Sequence, residues 1–176
     1  MNDTVIVEDI RPLIALLAPW VGMIGIIWAG EKRPNLRELF TFIAASVQAA
    51  VVLSLVPLIL SGAIVEFHIW QIFSYVPMLL RVDGPGLLFA CVASVLWIAT
   101  TLYAVGYMRG LHEHAQTRYF ASFAVAISST LGIAFSGNLF TMYLFYEVLS
   151  LSTYPLVTHE QKIGRAHVRT PVTVPY

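Results

Sequence analysis

Five apolar runs, each long enough to cross a lipid bilayer as a helix, dominate this chain of 176 residues. They are predicted at residues 12–30, 36–61, 85–108, 119–136 and 138–157. Apolar residues make up 58% of the chain and charged residues only 11%, whereas soluble domains carry about 25% charged residues. So much apolar surface cannot be hidden from water in a chain of this length. The sequence therefore predicts an all-α integral membrane protein with about five transmembrane helices.

The segment between the second and third runs has a different pattern. Residues 64–80 alternate in part between apolar and polar side chains and are rich in β-branched and aromatic residues. This pattern favours an extended hairpin at the membrane interface over a helix. Trp70, Phe73 and Tyr75 are expected to anchor the hairpin at the lipid headgroups. Asp83, which follows it, is the predicted N-cap of the third helix.

Composition excludes several classes of function. The formal net charge is +0 and the basic residues are spread over short loops, so we expect no binding to nucleic acid. Cys91 is the only cysteine, which rules out an intrachain disulfide and an iron–sulfur cluster. The glycines form no phosphate loop, and His112, Glu113 and His114 lack further ligands at a metal-binding spacing. We expect no cofactor, no bound metal and no catalysis by this chain alone.

Basic residues near the ends of the runs predict how the chain is oriented. Those after the first and third runs are Lys32, Arg33, Arg37, Arg109 and Arg118. Because Lys and Arg accumulate on the cytoplasmic side of a membrane, both loops are expected there. The acidic N-terminus lacks the basic region of a signal peptide, so no cleavage is expected. We therefore predict a multi-pass protein of the inner (plasma) membrane with residues 1–11 and 63–83 outside.

Glu147 lies near the middle of the fifth run and is the main functional candidate. An ionised carboxylate at that depth costs on the order of 2.5–3.5 kcal/mol on insertion scales, so such residues usually serve an ion or proton path. At about 100° per residue, the side chains that share its face are Tyr143, Ser150, Tyr154 and Thr158. This polar stripe is predicted to line protein or water, with Phe145, Leu149 and Leu156 facing lipid. In the alternative interpretation, Glu147 is structural and hydrogen-bonds a neighbouring helix.

The fourth and fifth runs carry three weaker signals. One side of the fourth run carries small residues, namely Ser122, Ser129, Gly132 and Ser136. This pattern favours close packing against another helix over a proton wire. Pro155 cannot donate a hydrogen bond to the carbonyl of Leu151, so the fifth helix is predicted to bend or loosen there. His159 follows at the cytoplasmic mouth, where proton delivery and a plain interfacial role are equally open.

Several motifs carry a resemblance to a known family. They are Val82-Asp83-Gly84, the stretch from Tyr103 to Met108, the stretch from Gly137 to Phe140, and Phe145-Tyr146-Glu147. These residues resemble the antiporter-like membrane subunits shared by respiratory complex I, Mrp-type cation/proton antiporters and group 4 membrane hydrogenases. Residues 146–159 are most similar to the D-type branch of these subunits, and the resemblance covers roughly residues 10–161. It implies that Glu147 pairs with a lysine on a later, broken helix and that charge movements along such pairs drive protons.

The chain departs from that family in its length. It stops after about five helices, whereas full members continue through further helices and a second inverted repeat. We expect residues 12–62 to hold the first two helices and residues 84–161 to be the start of a proton-translocating module without its partner lysine. Residues 162–176 resemble no sixth helix and look like a sequencing adapter translated through the end of a gene fragment. We predict that they pack on nothing; a natural polar tail is the alternative.

The sequence thus predicts a fragment of a proton-conducting, D-type antiporter subunit, with H+ and a candidate second ion, Na+. Tyr143, Ser150, Tyr154 and His159 are the expected companions of Glu147 in translocation. One alternative is a redox-driven pump subunit of an NADH:quinone oxidoreductase or a membrane hydrogenase. Another is a structural assembly subunit, which would tolerate Glu147→Gln. The expected partners are the other membrane subunits of a Mrp-type or complex I-like assembly and the lipid bilayer.

Overall fold

The computed structural model describes residues 5–73, 76–110 and 115–157. Along the described chain the elements are β1 (Ile6–Glu8), α1 (Arg11–Ala29), α2 (Pro34–Leu60), β2 (Ile64–Phe73), β3 (Val76–Val82), α3 (Gly84–Gly110), α4 (Gln116–Ala134) and α5 (Leu139–Val157). The five predicted helices are confirmed, and the largest difference is that α4 begins at Gln116 rather than at residue 119. The predictions for Tyr75, His112 to His114, His159 and residues 162–176 fall outside the described residues.

Three of the helices are long and apolar enough to cross a membrane by length and composition, namely α1, α2 and α3. Helices α4 and α5 have 19 residues each and are not among these three; α4 carries Arg118 and several hydroxyl side chains, and α5 carries Glu147. The described chain is consequently an all-α membrane protein. For α4 and α5, crossing of the bilayer stays a prediction.

The predicted extended hairpin between α2 and α3 is present as the antiparallel pair β2 and β3. Glu66 pairs with Arg81 across this ladder, and Arg81 Nη1 lies 3.7 Å from Glu66 Oε1. Trp70 is 75% exposed, as a headgroup anchor requires. Strand β1, which was not predicted, adds to β2 in parallel and makes a three-stranded sheet. Since β1 has only three residues, no alternation could reveal it.

Helix starts and an ion pair organise the end of the bundle at which the sheet lies, here called the sheet end. Asp83 Oδ1 accepts a hydrogen bond from the Gly86 backbone N–H at 2.8 Å, so the predicted N-cap of α3 is confirmed. Arg11 Nη2 lies 2.6 Å from Asp9 Oδ2, and Arg11 Nη1 donates to the Ser54 carbonyl at 2.8 Å. The hydrogen bond from Arg11 lowers the pKa of Asp9, which lies outside the helices. The chain segment before α1 is therefore tied to α2.

Small residues let the helices approach closely. A Cβ atom added to Gly22 of α1 would lie 2.5 Å from the Ala44 Cβ of α2. In α4, Ser129 and Gly132 are buried, as expected for the predicted packing side. The ring of Phe145 in α5 lies against Gly132, so close packing there is confirmed.

The opposite end of the bundle, here called the arginine end, is held by charged side chains. Arg109 donates from Nε and Nη2 to the two carboxylate oxygens of Glu38, at 2.8 and 2.6 Å. Arg37 is 1% exposed, and it donates to Glu31 at 3.0 Å and to Gln116 at 2.5 Å. Arg37 was counted with the loop charges, although the predicted second run also covers it. It lies in the first turn of α2, with its guanidinium buried against Glu31 and Gln116.

Candidate functional site

Helix α5 carries Glu147, and its first turn is fixed by the sheet. Asn138 Oδ1 accepts a hydrogen bond from the Thr141 backbone N–H at 2.8 Å, while its Nδ2 donates to the Pro77 carbonyl at 2.7 Å. Thr141 Oγ1 accepts from the Leu79 N–H at 3.1 Å. Asn138 thus caps α5 and bonds to β3 at once. These roles were not predicted, although an Asn just before an apolar run is a recognisable capping signal.

The turn before α5 also pairs with β3. Leu80 and Ser136 form an antiparallel bridge, and the Gly137 N–H donates to the Leu79 carbonyl at 2.9 Å. A Cβ atom on Gly137 would lie 2.7 Å from the Leu79 side chain. Gly137, the one residue between the fourth and fifth predicted runs, therefore lies in a tight turn against β3. Its close contact with the hairpin sets the direction in which α5 leaves the sheet.

The two faces of α5 lie in different surroundings. Phe145 packs against Gly132 and against the buried apolar cluster at the sheet end. The prediction that Phe145 faces lipid is therefore wrong. The physical reason is the short turn, which folds α5 back on α4 and leaves a notch at Gly132 that the aromatic ring fills. Leu149 is partly buried, and the side chain of Leu156 lies outside the described part of the chain.

The predicted polar stripe forms the opposite, exposed face of α5. Tyr143 is 56% exposed, Tyr154 is 71% exposed, and Glu147 and Ser150 are exposed as well. All four lie along one side of the helix, as the spacing predicted. His159 and Thr158, which were assigned to the same face or its end, fall outside the described residues. The described helices thus leave the stripe uncovered.

Glu147 has one close companion on this stripe. The Tyr143 side chain, one turn earlier, lies close enough for its phenol to interact with the Glu147 carboxylate. Within residues 5–73, 76–110 and 115–157, no Lys, Arg or His forms an ion pair with Glu147. A phenol can stabilise a carboxylate, but it does not neutralise its charge. The described chain therefore presents an unneutralised acid on the outer face of an apolar helix.

The stretch beyond Glu147 carries hydroxyl groups and a proline. Ser152 Oγ donates to the Leu149 carbonyl at 2.8 Å, and Thr153 Oγ1 donates to the Ser150 carbonyl at 2.9 Å. These bonds stay within the helix and do not reach Glu147. Helix α5 continues past Pro155 to Val157, so the bend that Pro155 predicts stays a prediction.

An apolar groove of about 630 Å³ lies beside the stripe, toward the sheet end. It is lined by Ile133, Leu139, Phe140, Met142, Tyr143 and Tyr146. Two of these side chains, Tyr143 and Tyr146, border the groove from the turn that precedes Glu147. The carboxylate is thus adjacent to an apolar surface that is shaped to receive another side chain or helix.

Metal chemistry was not expected, and the described residues hold no group of three or more His, Cys, Asp or Glu side chains that could bind an ion. Cys91 is a free, partly buried thiol within α3. On the exposed face of α5, the described side chains offer one carboxylate, a neighbouring phenol and nearby hydroxyl groups.

Comparison with known proteins finds relatives that are named as antiporter subunits. A protein of Staphylococcus haemolyticus (strain JCSC1435) named "Putative antiporter subunit mnhA2" is 33% identical over 108 residues, which are 61% of this chain and 13% of that protein. A protein of Rhizobium meliloti (strain 1021), named as a probable K(+)/H(+) antiporter A/B subunit, is 29% identical over 169 residues, 92% of this chain and 16% of that protein. The chain is similar to antiporter subunits. No family model matches it.

The relatives are much longer than this chain. A second mnhA2 protein, from Staphylococcus aureus (strain MRSA252), is 26% identical over 153 residues, which are 84% of this chain and 19% of that protein. The chain thus spans 13% to 19% of the length of these three relatives. The resemblance to Mrp-type antiporter subunits is supported by these names. The narrower likeness to the D-type branch is not, because the names specify mnhA2 and A/B subunits.

Proposed function

We propose that this chain is part of a cation/proton antiporter subunit in a multisubunit membrane complex, and that Glu147 is its proton- or cation-binding site. The observation that carries the proposal is the place of Glu147, on the uncovered face of a helix otherwise made of apolar and weakly polar residues. Relatives named as antiporter subunits support the same function.

The energetic cost of this carboxylate argues for a partner. A charge at the centre of a bilayer costs on the order of 2.5–3.5 kcal/mol on insertion scales, so it is retained only where it pairs or meets water. Phe145 occupies the opposite face against α4, so rotation of the helix cannot hide Glu147 in the described bundle. A further protein segment should therefore cover the stripe. The adjacent apolar groove offers that segment a packing surface.

A basic group on the covering segment would explain transport. When the cation lies near Glu147, it stabilises the ionised carboxylate; when it moves away, the low-dielectric surroundings favour proton uptake. Tyr143, one turn before Glu147, places a phenol beside this carboxylate. Ser150 and Tyr154 continue the stripe toward the arginine end, where they offer hydroxyl groups to a chain of waters. His159 is the proposed last group of this route.

The finer assignments belong to the same proposal. Motifs in residues 146–159 support a D-type identity, although the relatives above are named as mnhA2 and A/B subunits. The proposed partners are the other membrane subunits of such a complex, and the proposed ions are H+ and Na+. One relative is named as a probable K(+)/H(+) antiporter subunit, so K+ is a second candidate for the exchanged cation.

Ion-driven proton movement in membrane vesicles tests the function. Vesicles that contain the intact parent complex are acidified, and Na+, K+ or choline is then added while a pH-sensitive dye reports the interior. We expect Na+ or K+, but not choline, to release the internal protons. Proton uptake that requires NADH and shows no response to either cation would instead favour the redox-driven pump, and no response to any driver would favour a structural subunit.

The proposed orientation places the loop between α1 and α2 in the cytoplasm, and its residue Lys32 is exposed. We expect a Cys at Lys32, in a chain carrying Cys91→Ala, to react with a membrane-impermeant thiol reagent only after the cells are opened. A Cys at Val5, which is exposed near the sheet end, is the matched control and should react in intact cells. The reverse pattern would overturn the orientation.

A further inference from the structure

The bundle core contains two apolar clusters that lie at different depths. The cluster at the sheet end has helix members Ala15, Leu16, Val52, Leu55, Leu87, Ala90, Leu131 and Phe135. The cluster toward the arginine end is formed by Ile26, Ala44, Ala45, Trp97, Ala104, Phe120, Ala121 and Ala124. Helices α1 to α4 contribute to both. Each helix therefore passes from one cluster to the other near the middle of the bundle.

Polar side chains occupy the gap between these clusters on three of the helices. They form the midplane polar layer, which consists of Gln48 on α2, Ser94 on α3, and Ser128 and Ser129 on α4. Every member is at most 1% exposed. A buried polar layer between two apolar clusters is unexpected in a membrane bundle unless its groups are hydrogen-bonded.

Helix register places three of the polar groups close in depth. The hydrogen bonds between Glu38 and Arg109 fix α2 against α3 at the arginine end. With a rise of about 1.5 Å per residue, Gln48 lies about 15 Å from that ion pair and Trp97 about 18 Å. Ser94 lies one turn beyond Trp97 on the buried face of α3. By this rise, the backbone positions of Gln48 and Trp97 differ in depth by about 3 Å, and those of Gln48 and Ser94 by about 7 Å.

Two members of the midplane polar layer have hydrogen-bond partners among the described residues, and two do not. Ser128 Oγ donates to the Leu16 carbonyl at 2.7 Å, and Ser129 Oγ donates to the Val125 carbonyl at 2.8 Å. By contrast, Gln48 Oε1 and Nε2, Ser94 Oγ and Trp97 Nε1 are buried and have no hydrogen-bond partner among the described residues. Leaving one such group unpaired costs about 1–3 kcal/mol. These four atoms therefore require a ligand that both donates and accepts.

We propose that Gln48, Ser94 and Trp97 form a buried water-binding site in the middle of the bundle. Water matches the donors Gln48 Nε2 and Trp97 Nε1 and the acceptors Gln48 Oε1 and Ser94 Oγ, because a buried water makes about three hydrogen bonds of either sense. A metal or monovalent cation fits poorly, since the two N–H donors would point at a positive charge. The site is separate from Glu147, which lies on the outward face of α5. It does not depend on the proposed antiporter function.

Radiolytic footprinting of the whole chain in lipid nanodiscs tests the site. X-ray radiolysis turns bound water into hydroxyl radicals, which oxidise the side chains that touch it. We expect Trp97 to be oxidised in the wild type despite its burial, and this oxidation to be lost in Gln48→Met, which keeps the side-chain length but removes the polar atoms. Oxidation of the exposed Trp70 should be equal in both proteins and controls for the radical dose, while an unchanged circular dichroism spectrum reports intact folding.

Two further variants distinguish a bound water from a dry layer and from bulk water. Ser94→Ala should also reduce Trp97 oxidation, and it replaces the first comparison if Gln48→Met does not fold. Ser129→Ala is the matched control, because its hydroxyl bonds within its own helix, and it should leave Trp97 oxidation unchanged. Trp97 that resists oxidation in the wild type would show a dry layer and overturn the proposal. Equal oxidation in every variant would do the same, since it would indicate bulk water.

Discussion

Glu147→Gln in the intact parent subunit should reduce cation-driven proton flux to the leak of vesicles that lack the complex, while the complex still assembles. Glutamine keeps the shape of the side chain and can still accept a hydrogen bond, but it cannot ionise. If the charge of Glu147 carries transport, its loss removes the step that binds and releases the proton. The measurement is dye-reported flux per unit of assembled complex.

A matched variant and a milder one sharpen this test. Glu8→Gln makes the same chemical change on β1, at an exposed position outside the helices, and should leave flux unchanged. Glu147→Asp should keep part of the activity, because the carboxylate is retained but drawn back toward the backbone. Normal flux in Glu147→Gln would assign Glu147 a structural role. Loss of the assembled complex would show that Glu147 is needed for assembly, and the transport role would then be tested with Glu147→Asp.

Gly86→Val should strongly destabilise the chain. Gly86 lies in the first turn of α3, where an added Cβ would be 2.7 Å from the Ala134 carbonyl oxygen and 2.9 Å from Asp83 Oδ1. The obstacle at Ala134 is backbone, which cannot rotate away, and Asp83 is the N-cap of the same helix. We expect a loss of about 3 kcal/mol, at the upper end of overpacking costs. Unfolding of the purified chain by increasing SDS, followed by circular dichroism, gives the free energy of unfolding.

Gly106→Val is the matched control for this prediction. It makes the same change in the same helix, where an added Cβ would meet no atom within 4 Å. We expect it to alter the free energy of unfolding by less than about 1 kcal/mol, because only intrinsic helix propensity changes. Equal stabilities of the two variants would show that the contact between α3 and the end of α4 does not limit stability.

Much of the candidate site could be predicted from the sequence, because the signals are local. The length of each apolar run sets a helix, and the 3.6-residue period places Tyr143, Glu147, Ser150 and Tyr154 on one side of α5. The pairing of Tyr143 with Glu147 follows from their separation by one turn. The N-cap role of Asp83 and the extended hairpin between α2 and α3 could likewise be predicted from short segments of sequence.

What the site faces could not be predicted in this way. Periodicity shows that α5 has two faces, but which one packs inward depends on α4, on the notch at Gly132 and on the turn that joins the two helices. The hydrogen bonds of Asn138 and Thr141 to β3 join residues about sixty positions apart, and no local pattern encodes such a separation.

The sequence by itself determined that the helices lie in lipid, how many helices there are and which residues share each helix face. These properties follow from composition and from spacing along one segment. Only the tertiary structure decided that Glu147 lies uncovered, that Arg37 is buried in an ion-pair cluster, and that the polar atoms of Gln48, Ser94 and Trp97 are buried with no hydrogen-bond partner among the described residues. Those facts depend on how different helices are placed against one another. Whether a polar side chain is buried depends on the side chains of other helices that surround it, and helix packing decides which side chains those are.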